Sequence, residues 1–502
     1  MKLAVWSYEA PAHVGVSRAA SSFAGVHTIL RAPKGDGYGT IMLAMFERLG
    51  VTPPLTISAV TEATLAGAPA DIGHAIAEVE RRVAPELIVV TRSATASVLQ
   101  EPLDGEIAMI PRGTVHAEIL QAATHPLRDT ETSAFAKTVH QIVAHYAQDG
   151  HPRTRTPSVN LIGPSLLGFH DHANIESLSR LFTDLGVEVN AVLPLGAGPD
   201  DLRSIGRAWL NVPTACELAL PTMQYLHERF GTPYLDDVPY GEAGTARTLA
   251  EVGQVLELPR ERLAHAARNA KLAWFARTVD AHALSGKRVV VFALPSAAAG
   301  IARLLHDELD MEVAWAGTYV TPYGDWLRER LTGVTAEVAV TDDYREVAAL
   351  IDRTRPDIVF GTQMERHSAS RFGVPCAVIS PPAHVLNFPL GYAPFLGYDG
   401  ANHIGDLVNQ TQVLGLEHHL IETFGPRGQG RFAEAAPEGP DESVPSASSD
   451  IVWEDGALRL VQRIPFFVRK KARMNIETYA RERGLARIDE QAVLAAREHV
   501  GG

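Results

Sequence analysis

Short β-branched runs separated by amphipathic stretches set the tightest limit on how this chain can fold. ELIVVT (86–91), SVNLIG (158–163), VEVNAVLPLG (187–196), KRVVVFAL (287–294), MEVAWAG (311–317) and DIVFGT (357–362) are the clearest. Continuous apolar runs of this length suit strands covered on both faces, the condition of a parallel sheet. Between them, NIESLSRLFTDLG (174–186) and SAAAGIARLLHDELD (296–310) repeat apolar residues at helical spacing. The alternation predicts an α/β protein of doubly wound, Rossmann-like domains. The spacing gives three of them, over 1–150, 156–270 and 275–425. Residues 426–450 are rich in Gly, Pro, Ser and acids and read as a flexible linker. Residues 451–502, built around RIPFFVRKKARMNIETYARERGL (463–485), read as a small, basic, helical C-terminal domain.

With 502 residues and 46% hydrophobic content, the chain can bury cores of this size. A formal charge of −14 argues against a nucleic-acid partner. No stretch nears the roughly 18 uninterrupted apolar residues of a membrane span. The N-terminus lacks the apolar core of a signal peptide. The expectation is a soluble, cytoplasmic protein. Its two cysteines, Cys216 and Cys376, make no disulfide framework. Nor do they supply the four thiolates of most iron–sulfur clusters, so any such cluster must be shared with another chain or take a non-cysteine ligand.

Several motifs carry polar chemistry. RAPKGDGYGT (31–40) is glycine-rich and holds one acid, Asp36. It has neither the G-x-G-x-x-G spacing nor a Walker lysine–serine pair, so a loop between strand and helix is the plain reading. Aspartate is itself a good turn residue. GFHDHAN (168–174) offers His170, Asp171 and His172, but adjacent histidines in an extended chain face opposite ways, and a helix start is expected there. His418 and His419 fall on a helix. FGTQMERH (360–367) sets Gln363, Glu365, Arg366 and His367 just past a buried strand, where α/β folds build sites. The aromatic stretch 380–408 reads as a long loop covering a flat apolar ligand or a partner, or as a structural lid. The basic run RKKAR (469–473) reads as a solvated helix face.

Long collinear pieces carry a resemblance that runs nearly end to end. They include SFAGVHTILRAPKGDGYGTIM, VNLIGPSLLGFHDHANI, VFGTQMERH, NFPLGYAPFLGYDGANHI and PFFVRKKARMNIETYARERGL. In these the chain resembles the B-subunit family of light-independent protochlorophyllide reductases, relatives of the nitrogenase molybdenum–iron protein. The resemblance implies a 4Fe–4S cluster at the interface with a subunit N, which supplies three cysteines while Asp36 supplies the fourth ligand. It implies a heterotetramer of two N and two B chains. A nitrogenase-iron-protein-like subunit L would hydrolyse ATP and deliver single electrons. The implied reaction reduces the C17–C18 double bond of protochlorophyllide to give chlorophyllide. Asp280 aligns with the family's proton donor, and His384, Leu414 and Leu416 with its pigment pocket.

Two stretches depart from the family pattern. TRSATAS carries Ala94 where relatives commonly have a cysteine, and FALPSAA (292–298) replaces a turn of the FGDATH kind. These leave two alternatives open: a related nitrogenase-like reductase of another tetrapyrrole, or a cluster-less, non-catalytic pigment-binding homologue.

Overall fold

The computed structural model describes residues 7–37, 53–66, 72–99, 103–110, 113–166, 168–383, 392–424, 451–462 and 466–501. The chain divides into two compact units, Met1–Thr411 and Gln412–Gly502. The first unit holds three parallel sheets. Strands β1 (Val26–Ala32), β2 (Leu55–Ala59), β3 (Leu87–Arg92) and β4 (Glu118–Gln121) run in the order β2-β1-β3-β4. Strands β5 (Ser158–Ile162), β6 (Glu188–Leu193) and β7 (Leu210–Pro213) follow in the order β6-β5-β7. The third sheet orders β8 (Arg288–Phe292), β9 (Glu312–Thr318), β10 (Val338–Val340), β11 (Ile358–Gly361) and β12 (Cys376–Val378) as β10-β9-β8-β11-β12. Every pairing is parallel. In each sheet the first strand in sequence is interior, with a parallel neighbour on either side. This is the α/β, Rossmann-like architecture expected from the alternation.

Helices α1 (Ala12–Ser22) and α2 (Glu131–Tyr146) cover the first sheet, and α3 (Asp171–Asp184) and α4 (Cys216–Phe230) the second. Helices α5 (Pro295–Arg303), α6 (Gln363–Arg371) and α7 (Gly397–Phe424) belong to the third part of the chain. One close helix contact is set by a glycine. A Cβ on Gly15 would stand 2.1 Å from the Glu131 carbonyl oxygen, so α1 lies directly against the start of α2. Residues Ala12, Val16, Ala19, Phe135, Val139 and Val143 fill the seam.

Two expectations need correction. The aromatic stretch 380–408 is not a loop throughout: from Gly397 it is helix α7. Gly397 has φ +74°, a left-handed turn that glycine adopts without strain and that lets the chain enter the helix. Phe395, Leu396 and Tyr398 are buried in the core rather than lining an open face. Ser177 and Asn174 of α3 hold this entry, with Asn174 Oδ1 accepting from Phe395 N at 2.7 Å. The expected helix 296–310 is α5 followed by a wider π turn over Leu304–Glu308.

The second unit is small. β13 (Val452–Trp453) and β14 (Arg487–Ile488) pair in parallel, with helices α8 (Asp455–Gln462), α9 (Phe466–Glu482) and α10 (Glu490–Gly501). Ala457, Val461, Ile476, Ala480 and Ile488 form its core. The basic run 469–473 lies on α9. The expected linker 426–450 falls outside the described residues. Among the described residues, no helix is long and apolar enough to cross a membrane.

Candidate functional site

The carboxy edge of the first sheet presents Asp36. Strand β1 is buried along all seven residues, between β2 and β3. Beyond Ala32 the chain turns, with Asp36 N donating to the Pro33 carbonyl at 3.1 Å. His13, the second residue of α1 and only 5% exposed, meets the Asp36 carbonyl oxygen through Nε2 at 3.1 Å. Burial holds the His13 imidazole below its ordinary range, with the contact to Asp36 opposing in part. Gly37 is packed so closely that a Cβ there would meet Ile57 Cδ1 at 2.2 Å. The Asp36 main chain is therefore held from three sides. Its carboxylate, half-buried, has no hydrogen bond or ion pair among the described residues.

The neighbouring strand ends at the same edge. Ser93 N donates to the Arg31 carbonyl at 3.0 Å, which sets the end of β3 beside the end of β1. Ser93 Oγ then accepts from Ala96 N at 3.2 Å and caps the short helix that Ala94 begins. Ala94 and Asp36 thus share one edge, where adjacent parallel strands deliver their loops.

Neither cysteine suits a metal. Cys216 is buried at the start of α4, its thiol donating to the Asp236 carbonyl at 3.3 Å, and burial pushes its pKa up. Cys376 opens β12, and burial raises its thiol well above the usual range. Thiolate, the ligating form, is disfavoured at both. Among the described residues, no cluster of three or more His, Cys, Asp or Glu side chains is placed to hold a metal ion. His170 instead sits in a left-handed conformation ahead of α3, with Phe169 and Phe395 against its ring.

Glu365 proves to be a structural acid. It is the third residue of α6, and its Oε2 accepts from Thr362 N at 2.8 Å and Thr362 Oγ1 at 2.6 Å, closing a capping box. Its Oε1 accepts from the Tyr8 hydroxyl at 2.5 Å, from 357 residues away. Tyr8 stacks on Tyr319, with ring centroids 4.9 Å apart. Burial raises the pKa of Glu365 and of Tyr8. The motif that looked rich in chemistry is a helix start bonded within the fold.

Sequence reasoning missed the junction of the three sheets. A cavity of about 310 Å³ opens at the carboxy ends of β5, β7, β8, β9 and β12, lined among others by Ser165, Asp171, Glu217, Tyr240 and Tyr319. Glu217, 2% exposed, accepts at Oε2 from Ser296 N and Oγ at 3.2 and 2.6 Å, while its Oε1 has no partner among the described residues. Ser296 lies in the ALPSAA stretch, so that departure from the family pattern serves as a tie between α4 and α5. Asp171 Oδ2 accepts from Ser165 N at 2.7 Å beside the cavity; burial pushes its carboxyl up to about 7. Arg18 and Glu131 form an ion pair at the rim. The readable signal for this site was a pair of acids past strand ends, Glu217 four residues beyond β7 and Asp171 nine beyond β5.

Asp280 is exposed and precedes a short 3-10 turn, Ala281–Ala283, ahead of β8. Its side chain makes no cap bond, and Val279 and Trp274 nearby are 84% and 65% exposed. No hydrogen bond or ion pair among the described residues links Asp280 to Asp36. His384 lies outside the described residues. Leu414 and Leu416 lie on α7, but their side chains are outside the description.

Three parallel sheets of this kind belong to a known class. Residues 11–412 fit the family model of the nitrogenase component 1 type oxidoreductases, and the chain belongs to that family. Residues 453–497 fit a second model, the proto-chlorophyllide reductase 57 kD subunit. The chain is 40% identical over 521 residues to the B subunit of the light-independent protochlorophyllide reductase of Trichormus variabilis, covering 100% of both chains. It is 40% identical over 547 residues to the subunit of the same name from Chloroflexus aggregans, again with 100% coverage of each. Among solved structures it is similar to nitrogenase Cp1 at pH 6.5, with TM-score 0.70 and 16% identity over 83% of this chain and 95% of that one. That likeness bears on the fold.

Proposed function

We propose that this chain acts as the B subunit of a light-independent protochlorophyllide reductase. The observation that carries the reading is its full-length likeness to subunits of that name, including the C-terminal module. The same module favours protochlorophyllide over another tetrapyrrole as substrate. In this reading the chain pairs with a subunit N in a heterotetramer of two N and two B chains. A subunit L hydrolyses ATP, in keeping with the missing Walker loop here.

Asp36 fits the role of a shared-cluster ligand. Its carboxylate has no described partner, its main chain is fixed, and the chain's own thiols are held protonated. A 4Fe–4S cluster completed by three cysteines of subunit N would supply single electrons at this edge. A carboxylate is a harder ligand than thiolate, which suits a low potential. Asp280, open to solvent and with its carboxylate unbonded among the described residues, would approach a bound pigment and deliver a proton to the reduced ring bond. His384, Leu414 and Leu416 would contact the macrocycle.

Reconstitution tests the reading. The chain, its subunit N and subunit L are mixed anaerobically with ATP, dithionite and protochlorophyllide, and chlorophyllide is followed by absorption. ATP-dependent product is expected; pigment binding without turnover in the loaded complex contradicts it.

A further inference from the structure

We infer that His13 is a positioning residue that holds the Asp36 turn in the conformation from which its carboxylate reaches a shared cluster. The inference rests on the reading of Asp36 as a ligand and extends it to a second side chain. A carbonyl oxygen can only accept, so the 3.1 Å contact from His13 to the Asp36 carbonyl fixes the ring proton on Nε2. The other ring nitrogen, Nδ1, is buried without a partner among the described residues. The imidazole therefore makes one described side-chain hydrogen bond, and that bond ends on Asp36. A residue serving packing alone would be apolar here, since it would bury no unpaired nitrogen.

His13 is mounted on a tightly seated helix. Gly15 brings α1 against the Glu131 carbonyl, Arg18 pairs with Glu131, and Thr132 N bonds Glu9 Oε1 at 3.0 Å. Ser17 Oγ returns to the His13 carbonyl at 2.8 Å. The histidine thus ties a rigid helix to the turn. Asp36 N is fixed by Pro33, and Gly37 is wedged against Ile57. With no described bond to the carboxylate itself, the direction of that side chain depends on the main chain that His13 holds. Hydrogen bonds behind a metal ligand commonly change metal affinity by about 10- to 100-fold when removed.

The test compares His13→Gln, His13→Asn and Asp36→Ala in the anaerobic complex with subunit N. Iron release to bathophenanthroline and the line shape of the reduced-cluster EPR signal are measured; circular dichroism checks folding. A glutamine amide reaches the position of Nε2, whereas asparagine is too short. His13→Asn should release iron at least about tenfold faster and broaden the EPR signal. His13→Gln should match the wild type in both. Equal behaviour of Asn and Gln variants overturns the inference, whether both match the wild type or both lose iron. If Asp36→Ala retains its iron, the ligand reading itself fails; if only the His13 variants are silent, that reading stands and the positioning role falls.

Discussion

The acids at the junction of the three sheets and the acid at the edge of the first sheet meet opposite fates. At the junction, Glu217 accepts two hydrogen bonds at one oxygen and Asp171 one from a main-chain N–H, and just behind it Glu365 accepts three, one of them from the cavity-lining Tyr8. Glu365 and Glu217 join elements far apart in sequence. At the edge, Asp36 has its main chain bonded on both sides and its carboxylate bonded by no described residue. Asp280 is likewise unbonded at its side chain among the described residues. The fold bonds the acids that tie its elements together, and the two acids that the family reading assigns to chemistry carry no side-chain bond among the described residues. Density of polar residues in the sequence misled on this point, because FGTQMERH is crowded yet internally bonded.

Variants of the two kinds should therefore separate function from stability. The largest effect is expected at Asp280. Asp280→Ala should lower turnover by roughly 100-fold or more, the range of a lost general acid, with pigment binding and melting temperature unchanged. Single-turnover absorption and equilibrium binding check this; full activity refutes the role. Glu365→Ala should do the reverse. It strands the Tyr8 hydroxyl and opens the α6 cap, costing about 3 kcal/mol in urea denaturation, while iron content per folded complex is preserved. Selective iron loss in this variant would erase the contrast.

A smaller effect depends on pH. The Asp171 carboxyl rises from 3.8 to about 7 in the folded chain, so the folded state keeps a proton that the unfolded state has released. Stability from this group is highest below its unfolded value and falls as pH climbs through the folded one. Asp171→Asn, whose amide oxygen can still accept from Ser165 N, removes that slope. Thermal melts should show the variant equal to wild type near pH 4 and more stable toward pH 8. Parallel curves would place the Asp171 proton elsewhere.

The two regions also differ in how legible they were. Strands such as β5, β8 and β11 announce themselves as apolar runs because both faces are covered. β1 is expected only as the unbounded strand before the 31–40 loop: His27, Thr28 and Arg31 interrupt its apolar run, yet all three are buried, Arg31 donating to the Ala59 carbonyl at 2.7 Å. β7, β10 and β12 are three or four residues long, too short for any period to show. The bonding of Glu365 to Tyr8 spans 357 residues, a contact no local pattern encodes. For Asp36, turn propensity explains the residue as well as a ligand does, so the role proposed for it came from resemblance. The structure adds the physical distinction, a fixed main chain beneath a carboxylate that no described residue satisfies.

Iron content tests the central claim most directly. The chain is purified anaerobically with its subunit N, as wild type and as Asp36→Ala, and analysed for iron, sulfide and reduced-state EPR. The account predicts about four irons per N–B pair in the wild type, lost in the variant while the pair remains assembled. An iron-free wild-type complex that still binds pigment, or a variant that keeps its cluster, would contradict it.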